Sequence, residues 1–234
     1  MRGVDFEVRA GEVFGLLGPN GAGKTTILET IEGLRPVQRG SVRVGDVDVA
    51  RRPADAGRRL GVQLQQVSFF DRLTLTELLD LFADLYESDG RASELLALVG
   101  LEAQAGRAAR QLSGGQRQRL SIAVALINDP VAVLLDEPTA GLDPQARRRV
   151  WEIVRGLRSR GHAVLLTTHY IEEAEALCDR VAVLDSGRIV ALDSPAGLVS
   201  DLLATGFRRE APPAPATLED AYLRLTGRAI RDDD

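Results

Sequence analysis

Apolar and polar positions along the chain switch between a period of two and a period near 3.6. Val4 to Val8 alternates and reads as a strand, and Val13 to Leu17 is a short apolar run that ends in a glycine-rich turn. A helix is predicted from about Gly23 to Glu32, closed by Gly33. Ser41 to Val44 and Val47 to Val49 read as strands joined by a Gly45-Asp46 hairpin turn, and Leu60 to Leu64 as a buried strand. From Thr74 to about Val99 the period is helical, with Leu75, Leu78, Leu79, Phe82 and Leu85 on one face, and Thr74 with Glu77 spells a capping box.

Strand and helix then alternate. Val131 to Leu135 is a strand, Asp143 caps a helix with Pro144 at its first position, and Gly161 closes it. Strand Ala163 to Thr167, a helix from about Ile171, and strands Arg180 to Leu184 and Arg188 to Leu192 about a Ser186-Gly187 turn follow. Residues 210–215 read as a Pro/Ala-rich linker, Thr217 to Leu225 as a last short helix, and 231–234 as a solvated tail. This order predicts an α/β fold with a mostly parallel sheet, helices on both faces and a small antiparallel portion. One domain is expected over 1–234: an α/β core at about 1–65 and 126–195, an inserted helical lobe at about 66–125, and an extension at about 196–234.

Composition narrows the function. A net charge of −5 argues against a nucleic-acid binder that works by phosphate neutralisation, so no nucleic-acid partner is expected. A single cysteine, Cys178, excludes an internal disulfide and reads as a buried hydrophobe. No apolar run approaches the ~20 residues needed to span a bilayer, so a membrane role needs a partner chain. Of the 29 basic residues only Lys24 is a lysine. It lies where a compact ammonium fits and a planar guanidinium does not.

That place is Gly18-Pro19-Asn20-Gly21-Ala22-Gly23-Lys24-Thr25, a complete Walker A loop between a strand and a helix. Its amides and helix N-terminus suit phosphate, Lys24 suits the β- and γ-phosphates, and the Thr25 hydroxyl suits Mg²⁺, with Thr26 adjoining. Val131 to Glu137 is a Walker B strand: Asp136 is placed for the metal, and Glu137 to orient or deprotonate a water. Leu112-Ser113-Gly114-Gly115-Gln116 opens another helix and makes a second phosphate cradle. One γ-phosphate does not need two cradles from one chain, whereas a dimer uses both if each chain lends its second cradle to the other.

Together these segments resemble the nucleotide-binding domain of the ATP-binding cassette family, with its P-loop NTPase (RecA-like) core. The signature of that family is the run matched by Leu112 to Gln116, with Ser113, Gly114, Gly115 and Gln116 as the nucleotide-facing residues it implies. The resemblance covers about residues 3–195 and implies further roles. Gln65 matches the Q-loop glutamine that senses Mg²⁺ and water, with Gln63 and Gln66 as near-misses. Ala140 to Asp143 matches the D-loop, and His169 the switch histidine at the γ-phosphate. The resemblance implies ATP and Mg²⁺ as ligands and a dimer of like or related ATPases. It also implies an integral membrane permease as partner and a peripheral place on the cytoplasmic face of the membrane. Residues 61–70 and 217–227 look most like the exporter branch, and Phe69 and Phe70 fall where such chains dock a membrane-subunit helix, with core packing the alternative. A soluble cassette ATPase acting on ribosomes or DNA is the alternative function. Such proteins usually carry two cassettes, long coiled coils or zinc motifs, none of which is present. A P-loop kinase or GTPase would lack the Leu112 to Gln116 run.

Family members usually begin with a further strand and an adenine-stacking aromatic some twenty residues upstream. Phe6 sits too near the Walker A strand to replace that aromatic and is expected in the core. A true start upstream of Met1 is therefore expected. His162 has no motif context and is left without a role.

Overall fold

The computed structural model describes residues 3–63, 69–207 and 216–227. The first half runs β1 (Val13–Leu17), α1 (Lys24–Ile31), β2 (Arg43–Val44), β3 (Val47–Asp48), α2 (Pro53–Gly57), β4 (Leu60–Gln63), α3 (Leu75–Tyr86) and α4 (Ala92–Leu98). The second half runs α5 (Gly114–Ala125), β5 (Ala132–Asp136), α6 (Pro144–Ser159), β6 (Ala163–Thr168), α7 (Ile171–Leu177), β7 (Arg180–Asp185), β8 (Arg188–Asp193), α8 (Pro195–Ala204) and α9 (Leu218–Thr226). The main sheet has the order β4-β5-β6-β1-β7-β8, parallel except for β8, and β2 and β3 form a separate antiparallel pair.

The central strands are apolar over most of their length, turning polar only at the C-terminal ends of β5 and β6, because both faces are covered. Val13, Leu17, Val133, Leu135, Val164 and Leu166 point into the larger core with α3 to α9. Phe14, Leu16, Leu134 and Leu165 point the other way, against α1 and the β2–β3 pair. At Gly61 the sheet meets the helical lobe so closely that a Cβ would lie 2.0 Å from the Ala125 carbonyl oxygen.

Two sequence expectations fail here. Residues 4–8 show the alternation, with Val4, Phe6 and Val8 half-buried against the smaller core, but they form no strand. Periodicity selects a buried face, whereas a strand also needs a partner with a free edge. Phe6 stacks on Phe14 at 5.1 Å between centroids, a partly buried core contact. The helical pattern from Thr74 to about Val99 is carried by two helices, divided where Glu87 adopts φ 54°. The Thr74–Glu77 capping box is present, but Leu85 is 68% exposed. At ~100° per residue it sits ~80° around the helix from Leu75, at the edge of the buried stripe, and it falls in the last turn of α3. The predicted strand residue Leu64 and the linker and tail at 210–215 and 231–234 lie outside the described residues.

Candidate functional site

Register places the candidate residues together. In adjacent parallel strands Leu17 pairs with Thr168, and Asp136 with Thr167, so the segments that follow β1, β5 and β6 leave the same edge of the sheet. The carboxyl edge of an open α/β sheet is where ligands bind.

The Walker A loop is fused to that edge. The Gly18 amide donates to the Thr168 carbonyl at 3.2 Å, and a Cβ on Gly18 would lie 2.5 Å from the Leu184 carbonyl oxygen, so only glycine fits. Gly23 caps α1 at φ 109°, a left-handed conformation that turns the chain into the helix. Lys24 is 5% exposed. Its Nζ donates to the carbonyls of Gly18 at 2.8 Å and Pro19 at 3.3 Å, and lies 3.2 Å from Glu137 Oε1. Ala22 is buried; Pro19, Gly23 and Thr26 are half-buried; Asn20, Gly21 and Thr25 form an exposed rim.

Asp136 ends β5, and its Oδ1 accepts from the Thr167 hydroxyl at 2.5 Å. The next residue, Glu137, has φ 48°, a left-handed backbone that a non-glycine residue adopts only when its surroundings compel it. The compulsion is visible: its amide donates to both the Thr167 carbonyl (3.2 Å) and the Thr167 hydroxyl (3.0 Å). Its carboxylate then bridges two groups, with Oε1 near Lys24 and Oε2 3.2 Å from His169 Nδ1. Burial pushes the Glu137 carboxyl up, but the His169 hydrogen bond and the Lys24 charge outweigh it, and the net shift is downward. Asp136 moves the other way. Burial raises it, the Thr167 hydrogen bond only partly offsets this, and the Glu137 charge adds to the rise.

A buried carboxyl held above its ordinary value is a site where a cation is welcome. Among the described residues no three metal-ligating side chains cluster closely enough to hold an ion alone. Mg²⁺ takes one or two protein ligands and completes its shell with phosphate and water. Asp136 and the exposed Thr25 are the protein groups suited to it.

The second cradle is built differently. Ser113 caps α5 in a closed capping box, accepting from the Gln116 amide at 3.3 Å while the Gln116 side chain accepts from the Ser113 amide at 2.9 Å. Ser113 and Gly114 are exposed. A Cβ on Gly115 would stand 2.7 Å from Ala146 Cβ, whereas one on Gly114 would meet nothing within 4 Å. The side-chain hydrogen bonds of Ser113 and Gln116 stay within this turn, apart from the cluster around Lys24.

The structure thus gathers Lys24, Asp136, Glu137 and His169, and leaves Ser113–Gln116 facing solvent. Gln65 lies outside the described residues. The near-miss Gln63 is buried at the end of β4. His162 Nδ1 lies 3.0 Å from the Pro130 carbonyl oxygen, a structural pairing. Cys178 is buried, with its thiol pushed far up by burial. Sequence reading missed Thr167, which binds both Walker B carboxylate residues. Its role depends on the β5–β6 register, which no local motif carries.

Comparison with known proteins gives the family. Residues 1–140 match the family model described as ABC transporter. The chain is 41% identical over 225 residues to the Nod factor export ATP-binding protein I of Burkholderia lata, covering 94% of this chain and 74% of that protein. It is 38% identical over 207 residues to the linearmycin resistance ATP-binding protein LnrL of Bacillus subtilis, covering 86% and 67%. Among solved structures, an ATP-binding subunit of an ABC transporter superposes with a TM-score of 0.80 at 30% identity over 95% of this chain and 91% of that one. A bacterial cassette solved as a dimer in a post-hydrolysis state with ADP and Pi matches with a TM-score of 0.72 at 29% identity, over 82% and 88%.

Proposed function

Because the chain belongs to the ATP-binding cassette transporter family, we propose a specific division of labour among its residues. It is the ATP-hydrolysing subunit of an exporter, the class to which its export and resistance relatives belong by name. The soluble alternative on ribosomes or DNA finds no support among those relatives. We read residues 1–234 as one cassette: the core at about 1–65 and 126–195, the lobe at about 66–125 and the extension at about 196–234.

One observation carries the assignment: a single ionised carboxylate, Glu137, lies 3.2 Å from both the phosphate-binding Lys24 and His169, beside the metal-suited Asp136. Gly18 to Thr26 hold the triphosphate through amides and the α1 N-terminus, with Lys24 on the terminal phosphates. Thr25 and Asp136 would hold Mg²⁺, with Gln65, two residues after β4 in the sequence, as the further group the family resemblance implies. Bound there, Mg²⁺ supplies charge neutralisation at the phosphates. Glu137, kept ionised by His169 and Lys24, accepts the proton of the attacking water. His169 holds the Glu137 carboxylate on the side opposite Lys24. Ser113, Gly114, Gly115 and Gln116 act on the nucleotide of a second cassette, like or related, and the dimeric neighbour structure supports that reading.

The membrane partner is an integral permease, and this subunit sits peripherally on the cytoplasmic face. No helix of the described residues is long and apolar enough to cross a membrane. An open groove of ≈ 300 Å³ is lined by Glu32, Leu34, Leu60, Val62 and Tyr86, and Leu34 is 72% and Phe70 61% exposed. Phe69 is half-buried against the core, so of the two phenylalanines only Phe70 suits docking. Glu137→Gln tests the catalytic assignment. ATP binding is expected to persist while turnover falls by about 10²- to 10⁴-fold. Phosphate release at the wild-type rate would remove Glu137 from the role.

A further inference from the structure

Glu173 is a charged-type side chain in a place where charge is costly. It is 1% exposed, on the first turn of α7 and among apolar core residues. A carboxyl survives such burial only if its surroundings supply donors, and an apolar residue of similar size would pack there at less cost. One oxygen, Oε1, is supplied with two donors, whereas Oε2 is buried without a hydrogen-bond partner among the described residues. The Thr139 hydroxyl donates to Oε1 at 2.7 Å and the Trp151 indole N–H at 3.1 Å.

The positions of these donors are informative. Thr139 lies two residues after Glu137, and α7 begins two residues after His169. Glu173 therefore ties the segment that carries one half of the Glu137–His169 contact to the helix that directly follows the other half. The segment between Glu137 and Asp143 is otherwise held by short turns, Ala140 N to Glu137 O at 3.1 Å and Leu142 N to Thr139 O at 3.2 Å. The other fixings of α6 repeat the pattern one turn away. Trp151 of α6 reaches Glu173, and Arg147, four residues earlier, lies 5.1 Å over the ring of Tyr170, which itself tilts against His169 at 4.1 Å.

We propose that Glu173 is a positioning residue for ATP hydrolysis, which clamps Thr139 and Trp151 to α7 and so holds Glu137 and His169 in register across the cleavage site. The inference rests on the role assigned to Glu137. Nucleotide is gripped by the Walker A loop, which Glu173 does not touch, so the clamp acts on turnover and not on affinity.

Steady-state ATPase kinetics of the full chain decide it. Glu173→Ala is expected to lower kcat by about 10- to 100-fold, the cost of a misplaced reacting group. KM for ATP should stay within about twofold of wild type, the mark of an interaction used only in the transition state. Glu173→Gln keeps a carbonyl oxygen able to accept both donors and is expected to restore most of the loss. A kcat for Glu173→Ala near wild type, or a Gln variant as impaired as the Ala variant, overturns the proposal. So does a proportional rise in KM, which would mark general loss of the folded site. Should Glu173→Ala fail to fold, Thr139→Val removes one donor at constant shape. A fall in kcat alone then supports the clamp, and an unchanged kcat sinks it. Glu137→Gln, run in parallel, separates the two ideas: if that variant still turns over, the catalytic assignment fails, whatever Glu173 does.

Discussion

The two glycine-containing helix starts of this chain, Gly18–Thr25 and Ser113–Gln116, use the same local chemistry and end in opposite situations. The first is closed by its own molecule. Gly18 presses on the Leu184 backbone, Lys24 is buried, and Glu137 and the sheet edge complete the enclosure. The second satisfies only itself through its capping box and leaves Ser113 and Gly114 exposed. An anion held by exposed amides alone competes with water, whereas one in a charged, enclosed loop does not. The contrast supports the proposal that binding belongs to one chain and turnover to two.

The strongest way to break this comparison is to separate the cradles into different chains. Lys24→Ala alone is expected to abolish ATPase activity, and so is Ser113→Arg, which adds bulk and charge at the exposed cradle. In a mixture of the two, half the dimers are mixed, and each mixed dimer has one intact site with its loop from one chain and its cradle from the other. Activity is then expected to return to about one quarter of wild type by that statistical count. Two inactive proteins that remain inactive on mixing would show that the cradles are not shared.

A smaller effect sharpens the same contrast through glycine alone. Gly18→Ala must move the Leu184 backbone and is expected to cost about 1–3 kcal/mol of stability, seen as a lower midpoint in urea. Gly114→Ala meets nothing within 4 Å, so the isolated chain should keep its stability to within about 0.5 kcal/mol. Its ATPase activity should still fall, because the space is left for a second molecule. Equal stability losses for the two variants would refute the distinction.

The smallest effect concerns Asp136. Its carboxyl is raised by burial in the fold. The folded state therefore holds its proton to higher pH than the unfolded chain, and the ionised group opposes folding increasingly as pH rises through that range. Asp136→Asn is expected to raise Tm at neutral pH by about 2–4 °C, if relief is on the order of 1 kcal/mol. The gain should vanish in acid below both values, and ATPase activity should be lost throughout. Glu137 has the opposite sign: its carboxyl is lowered, so its contribution stabilises the fold above the ordinary carboxylate range and is lost as pH falls through the lowered value. A Tm for Asp136→Asn below wild type at neutral pH would contradict the reading of Asp136 as a strained acid.

The contrast also separates what local sequence determined from what only the tertiary structure decided. The phosphate loop, the capping box at Thr74, the helix start at Ser113, the Asp143 cap and the apolar strands were all legible, because each depends on neighbours within a few residues. So was the convergence of Lys24, Asp136 and His169, once the βα alternation implied a parallel sheet whose strands end at one edge. Residues 4–8 were misread because alternation reports a buried face and says nothing of a strand partner. Leu85 was misread because a buried stripe is narrower than a list of leucines. The left-handed Glu137, the double grip of Thr167 and the buried Glu173 beneath Thr139 and Trp151 were invisible. They join positions 22 to 34 residues apart, and only strand register and helix packing bring such positions together.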